Sequence, residues 1–152
     1  MIYTQDDDMS DLMNNHKEDY VLFFDIDGTL VSFSSHEIPS STVQALTLAK
    51  ANRSKVYIAT GRPPLIITNL SAIEHLIDGY VTTNGALCFV GDELVCCQPI
   101  PKQDVLTCVE DAKAKGYSLI VVGRKDVAVF DPKGDVERIF HQMLAVNEFA
   151  EA

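Results

Sequence analysis

The chain has no apolar run long enough to cross a bilayer. Its N-terminus carries Asp6-Asp7-Asp8 where a secretory signal would need an apolar core. Both absences lead to the expectation of a cytoplasmic protein with no membrane partner. Basic residues are also scarce: 12 Lys and Arg stand against 22 Asp and Glu, for a net charge of −10. That balance argues against a nucleic-acid partner, because proteins that hold its backbone show a basic footprint. It leaves a small phosphate ester open, since local charge and any bound metal decide that. The four cysteines, Cys88, Cys96, Cys97 and Cys108, make no CxxC and no His-spaced pair, so no zinc site is expected. They lie in apolar stretches and read as buried free thiols. Internal repeats and low-complexity segments are absent.

What is present suits one ordinary globular domain. The chain has 152 residues, 47% of them hydrophobic and 22% charged. The stretch that organises it is Val21-Leu22-Phe23-Phe24-Asp25-Ile26-Asp27-Gly28-Thr29-Leu30. Four apolar residues in a row suit a strand covered on both faces, as in a parallel sheet. Two acids then flank one isoleucine. Carboxylates are costly to bury unpaired, so they belong at the open carboxyl end of the strand, where ligands bind in open α/β sheets. At positions i and i+2 the side chains of Asp25 and Asp27 share a face, and Gly28 lets the backbone turn away. A cation would relieve their repulsion, and Mg²⁺ favours one or two carboxylates plus phosphate oxygens.

Three readings fit those residues. One is a strand ending in an Asp-Gly turn whose acids only face water. Another is a calcium loop, which wants glutamate at its twelfth position but meets His36 there. The third is a nucleophile and an acid for phosphoryl transfer.

The rest of the chain supplies context. Residues 1–18 are polar and read as a flexible tail. Ser41 and Gln44 fit a capping box, with a helix expected over 41–52. Lys55 to Thr60 reads as a strand, followed by the turn Gly61-Arg62-Pro63-Pro64. Ile66, Ile67, Leu70, Ile73 and Leu76 predict a helix, with a proline in its first turn. That would set Thr60 beside a helix N-terminus, a natural phosphate site; alternatively Thr60 is only a cap. Tyr80 to Thr83 predicts a third strand, ending at Asn84-Gly85. The β-α-β-α-β pattern predicts a parallel sheet with right-handed crossovers, its strand ends carrying Asp25 and Asp27, Thr60, and Asn84. Further on come a hairpin over 87–98, a helix over 102–115 closed by Gly116, strands over 117–122 and 126–130, and a helix over 135–146.

Phe24-Asp25-Ile26-Asp27-Gly28-Thr29-Leu30 resembles the first motif of the haloacid dehalogenase superfamily. Ile58-Ala59-Thr60-Gly61-Arg62 is similar to the second motif of its Cof-type branch (subclass IIB-like), and Thr83-Asn84-Gly85-Ala86 to the point where that branch leaves its core for a cap. The resemblance covers about residues 20 to 145 and is nearest to sugar-phosphate-hydrolysing members. It implies an α/β fold: a partial Rossmannoid parallel core over 19–85, then part of an α+β cap over 86–152. It further implies an Mg²⁺-dependent phosphatase acting on a small phosphorylated metabolite. Asp25 would be the nucleophile and Asp27 the general acid and base. Mg²⁺ would take a carboxylate oxygen of Asp25 and the backbone carbonyl of Asp27. Thr60 and Gly61 would hold phosphate, with Arg62 and Asn84 near the substrate; Arg62 would otherwise pair with a surface acid. The family's later lysine and acidic Gly-Asp motif have no match after Ala86, so the chain reads as a truncated enzyme or as a catalytically incomplete binding protein. An exposed sheet edge beside the Asp25 strand would let copies associate.

Overall fold

The computed structural model describes residues 20–132 together with Val136, Arg138, Ala150 and Glu151. The tail read at 1–18 and most of the helix read at 135–146 lie outside the described residues.

Three parallel strands form the centre: β1 (Val21–Phe24), β2 (Lys55–Ala59) and β3 (Gly79–Thr82), hydrogen-bonded in that order. Two antiparallel strands, β4 (Leu87–Val90) and β5 (Glu93–Cys97), extend the same sheet beyond β3. A second sheet holds β6 (Leu119–Val122), β7 (Val127–Phe130) and β8 (Ala150–Glu151) in that order. The expected α/β class and parallel core are therefore observed. The segment after Ala86 divides between the two sheets.

Helix α1 (Ser40–Ala51) crosses from β1 to β2 and buries Leu46. Leu46 joins Ile26, Leu30, Val31, Val56, Ile58, Leu70, Ile73 and Leu76 in the main core. The expected capping box does not form: Pro39 is the N-cap and no side chain caps the helix. Proline fixes φ at the value a helix entrance needs, and the Thr42 and Val43 N–H groups bond the Pro39 carbonyl. The helix thus begins one residue earlier, with Ser41 inside it. Helix α2 (Lys102–Lys115) ends as expected at Gly116, which is left-handed at φ 68° and donates its N–H to Ala112 O.

The helix read over 66–76 is absent. Two short 3₁₀ turns stand there, Pro64–Ile66 and Glu74–Leu76. The apolar residues are buried as their spacing suggests, but not together. Leu70, Ile73 and Leu76 enter the main core, while Ile66 packs with Val127, Val129 and Val136 of the second cluster. One straight helix would put Ile66, Leu70 and Ile73 on a single face, so the two destinations require a broken chain. The β-branched run Ile66-Ile67-Thr68 offers a helix little resistance to that break.

The cysteines also differ from expectation. Cys97 and Cys108 are exposed, and Cys88 and Cys96 are half-buried. Apolar neighbours in sequence mislead here: Cys96 and Cys97 lie on β5, an edge strand among the described residues, and Cys108 on an exposed position of α2.

Candidate active site

Asp25 follows directly on β1. The chain from Asp25 to Val31 then folds back on itself: Val31 N–H bonds Ile26 O at 2.9 Å, and Gly28 N–H bonds Val31 O at 2.8 Å. This loop buries Ile26 completely, with Leu30 and Val31 beside it. Burying the isoleucine turns its two neighbours outward: Asp25 is exposed and Asp27 half-buried. Gly28 permits the turn. Its φ is +78°, and a Cβ there would meet the Phe33 ring at 3.0 Å.

Thr60 stands at the end of β2 and is buried. Its N–H is bonded to Val81 O, and its hydroxyl oxygen accepts the Arg62 N–H at 3.2 Å. The Gly61 N–H between them has no hydrogen-bond partner among the described residues, and Gly61 is exposed. Gly61 matters sterically as well, since a Cβ would come 3.1 Å from Asn84 Oδ1. The expected helix dipole beside Thr60 is missing, because only a three-residue 3₁₀ turn follows. Any anion held here relies on individual N–H and hydroxyl donors.

Arg62 is the best-anchored member of the group. Its side chain is 4% exposed. Nε donates to Asp27 Oδ2 at 2.8 Å and Nη2 to Asp27 Oδ1 at 2.7 Å, while Nη1 donates to Ile66 O at 2.9 Å. This two-pronged geometry is the strong form of an arginine–carboxylate pair. The sequence suggested a substrate contact or a surface acid for Arg62; the structure gives it Asp27 and the chain at Ile66. Its guanidinium therefore fixes the direction of the Asp27 carboxylate.

Asp25, Asp27, Thr60, Gly61 and Arg62 line one cavity of about 360 Å³. Asn84 is not on its wall; it lies over Gly61, in a left-handed conformation at φ 54°, ψ 36°. The wall also includes Pro63, Ile66, Ile120, Val122 and Val127. The last three come from β6 and β7, so the second sheet supplies an apolar roof. Sequence reading found those strands but not their place over the acids. The alternation of Ile120 and Val122 marks one face of β6, yet nothing local says what that face meets. Among the described residues no lysine lines the cavity, and no group of three or more His, Cys, Asp or Glu side chains could hold a metal.

Two groups nevertheless suit a hard cation. The Asp25 carboxylate is exposed, and the Asp27 carbonyl oxygen accepts no hydrogen bond among the described residues. Mg²⁺ needs only one or two protein carboxylates and otherwise keeps water and phosphate ligands. The Asp27 carboxylate, held on both oxygens by Arg62, is less suited.

A family model described as haloacid dehalogenase-like hydrolase matches residues 22–150. The chain belongs to that family. A sugar phosphatase of subclass IIB of this superfamily is similar in structure, with a TM-score of 0.82 and 47% identity over 88% of this chain and 52% of the other. A structure from work on a trigonal-bipyramidal intermediate in a phosphoryl-transfer superfamily gives a TM-score of 0.85 at 45% identity, over 89% of this chain and 52% of the other. A phosphatase of the superfamily from Bacteroides thetaiotaomicron gives 0.72 at 27% identity, over 91% and 51%. No curated protein matches the sequence. The Cof-type resemblance is borne out by these neighbours. The chain spans about half the length of the solved structures it matches. No helix among the described residues is long and apolar enough to cross a membrane.

Proposed function

We propose that this family member carries the phosphate-handling part of a phosphoric monoester hydrolase acting on a small phosphorylated metabolite, such as a sugar phosphate. The observation that carries the reading is the pairing at the end of β1. One acid is open to the cavity, and the next acid but one is clamped by a buried arginine. Two chemically identical groups are thereby given different environments, as a nucleophile and an acid–base require.

In this reading an Asp25 oxygen attacks phosphorus and the bond from phosphorus to the leaving oxygen breaks. Asp27 gives that oxygen its proton. Asp27 then takes a proton from water, whose oxygen attacks phosphorus and releases the Asp25 carboxylate and inorganic phosphate. Arg62 keeps Asp27 aimed through both half-reactions. The Thr60 hydroxyl and the Gly61 N–H are the donors for phosphate oxygens. Asp25 and the Asp27 carbonyl would hold Mg²⁺, which when bound supplies positive charge against which one anion can approach another. The neighbours' naming as phosphatases and the sugar phosphatase among them support the substrate class.

The test is phosphate release from an aryl phosphate and from a panel of sugar phosphates, with and without Mg²⁺, for the chain and its Asp25→Asn variant. Turnover that requires Mg²⁺ and vanishes in the variant supports the reading. Equal release by two folded proteins overturns it for this chain. A second reading, a non-catalytic binding protein, draws on one observation: no lysine and no third acid join the cavity among the described residues. Phosphate or Mg²⁺ binding without turnover would favour it.

A further inference from the structure

We propose that Cys88 and Cys96 form a cross-strand dithiol that closes to a disulfide by exchange with a small-molecule disulfide, and that closure acts on the turn at Asn84. The two residues are direct partners in the β4–β5 register. The register is irregular just beyond, between Cys88 and Phe89, and the Cys96 thiol is a hydrogen-bonding neighbour of the Cys88 thiol. Adjacent strands lie about 4.8 Å apart, inside the Cα window of about 4.4–6.8 Å that a disulfide needs. Both side chains share a face of the hairpin. Cys97, one step along, is turned to the opposite face and lies across from Leu87.

The surroundings divide the roles. Cys88 is half-buried, and its thiol donates to Gly85 O at 3.5 Å. Burial first, and then the Cys96 thiol beside it, raise the Cys88 pKa. Cys88 is therefore the slower entering nucleophile, because the thiolate is the attacking form. Cys96 attacks one sulfur of the small disulfide, forming a mixed disulfide and expelling one thiolate. Cys88 then attacks the Cys96 sulfur, the mixed S–S bond breaks, and the second small thiolate leaves. Two protein thiols are oxidised and one small disulfide is reduced to two thiols.

Closure removes the Cys88 S–H from the Gly85 carbonyl. Gly85 follows Asn84, and both have positive φ. The Asn84 amide lies against Gly61, and Gly61, unlike Asn84, lines the acidic cavity. The dithiol is thus joined to the site by a short run of backbone.

The experiment incubates the native chain with glutathione disulfide, traps remaining thiols by alkylation and maps the peptides. We expect the four free thiols to fall to two, with a Cys88–Cys96 link that dithiothreitol reverses. A Cys97→Ser/Cys108→Ser variant should still lose both remaining thiols to an internal link, and Cys96→Ser should make none. A Cys97–Cys108 link, a link only between molecules, or one formed only in denaturant overturns the dithiol. The coupling is read separately, as shifts of the Asn84, Gly85 and Gly61 amide resonances on oxidation; unmoved resonances overturn it. Neither readout uses phosphatase activity, so the outcome stands apart from the functional proposal.

Discussion

Ile26 does as much to shape the site as the acids beside it. Its complete burial fixes the parity of the loop, and that parity faces Asp25 and Asp27 outward. The two acids then respond differently to substitution. Asp25 is exposed, so Asp25→Asn should change stability by no more than about 0.5 kcal/mol while abolishing Mg²⁺-dependent turnover. Denaturation and phosphate-release assays on the same preparation check both halves. Arg62→Ala should instead destabilise by about 3 kcal/mol, because it leaves a half-buried carboxylate facing an emptied buried site. Arg62→Lys should recover only part of this, since an ammonium cannot reproduce the two-pronged contact. Urea unfolding of the three proteins decides it, and a lysine variant as stable as the parent would contradict the clamp. The acids and Thr60 were legible in the sequence because their signal is local: an apolar strand, then polar residues at a fixed step. The Arg62–Asp27 clamp was not, because its partners are 35 residues apart and meet only through the β1–β2 register.

Elements are tied together by a few long-range anchors, and these explain both successes and failures of sequence reading. Strands and α2 were legible because apolar runs and the glycine stop carry their own boundaries. The stretch 66–76 was not, because its periodicity is the sum of two unrelated packing demands. Ile66 belongs to the second sheet's cluster and its neighbours to the first. Ile66→Ala should therefore cost about 2–5 kcal/mol and loosen the roof over the acids, seen as faster amide exchange in β6 and β7 than in β2. Exchange accelerated equally everywhere would show that Ile66 does not join the two parts. Asp78 is the comparable anchor on the first sheet. Its carboxylate accepts from Lys50 at the end of α1, and from Lys55 and the Val56 N–H at the start of β2. Burial pushes the Asp78 carboxyl up, but the Lys50, Val56 and Lys55 contacts outweigh it and hold the pKa below its ordinary value of 3.8. A carboxylate lowered on folding adds stability that is present above its unfolded pKa and disappears as pH falls through the folded one. The stability gap between the parent and Asp78→Asn should thus be full at neutral pH. It should begin to close only as the pH drops below about 4. Denaturant melts across that range test the sign, and a gap that widens on acidification would reverse it.

The whole molecule has a covered and an uncovered side. Helix α1 and the core lie on one face of the parallel strands, while Val21 and Phe23 on the other are 56% and 58% exposed. Phe23 stacks on Tyr57 at 5.3 Å between ring centroids, which makes a continuous aromatic patch. β1 is also an edge, paired with β2 alone among the described residues. Parallel sheets are almost always covered on both faces, and an apolar edge of this kind invites another chain. In the matched structures this chain accounts for about half the length. We propose that a second copy packs on that face, Phe23 and Tyr57 of one chain against those of the other about a two-fold axis. Each dimer would then bury two copies of Phe23, each contributing about 1.5 kcal/mol or more. Phe23→Asp should weaken association by ~100-fold while the monomer keeps its fold, because the ring is more than half exposed already. Sedimentation velocity over a concentration series measures this directly. A parent that stays monomeric at every concentration, or a variant that associates as well as the parent, would remove β1 as the contact.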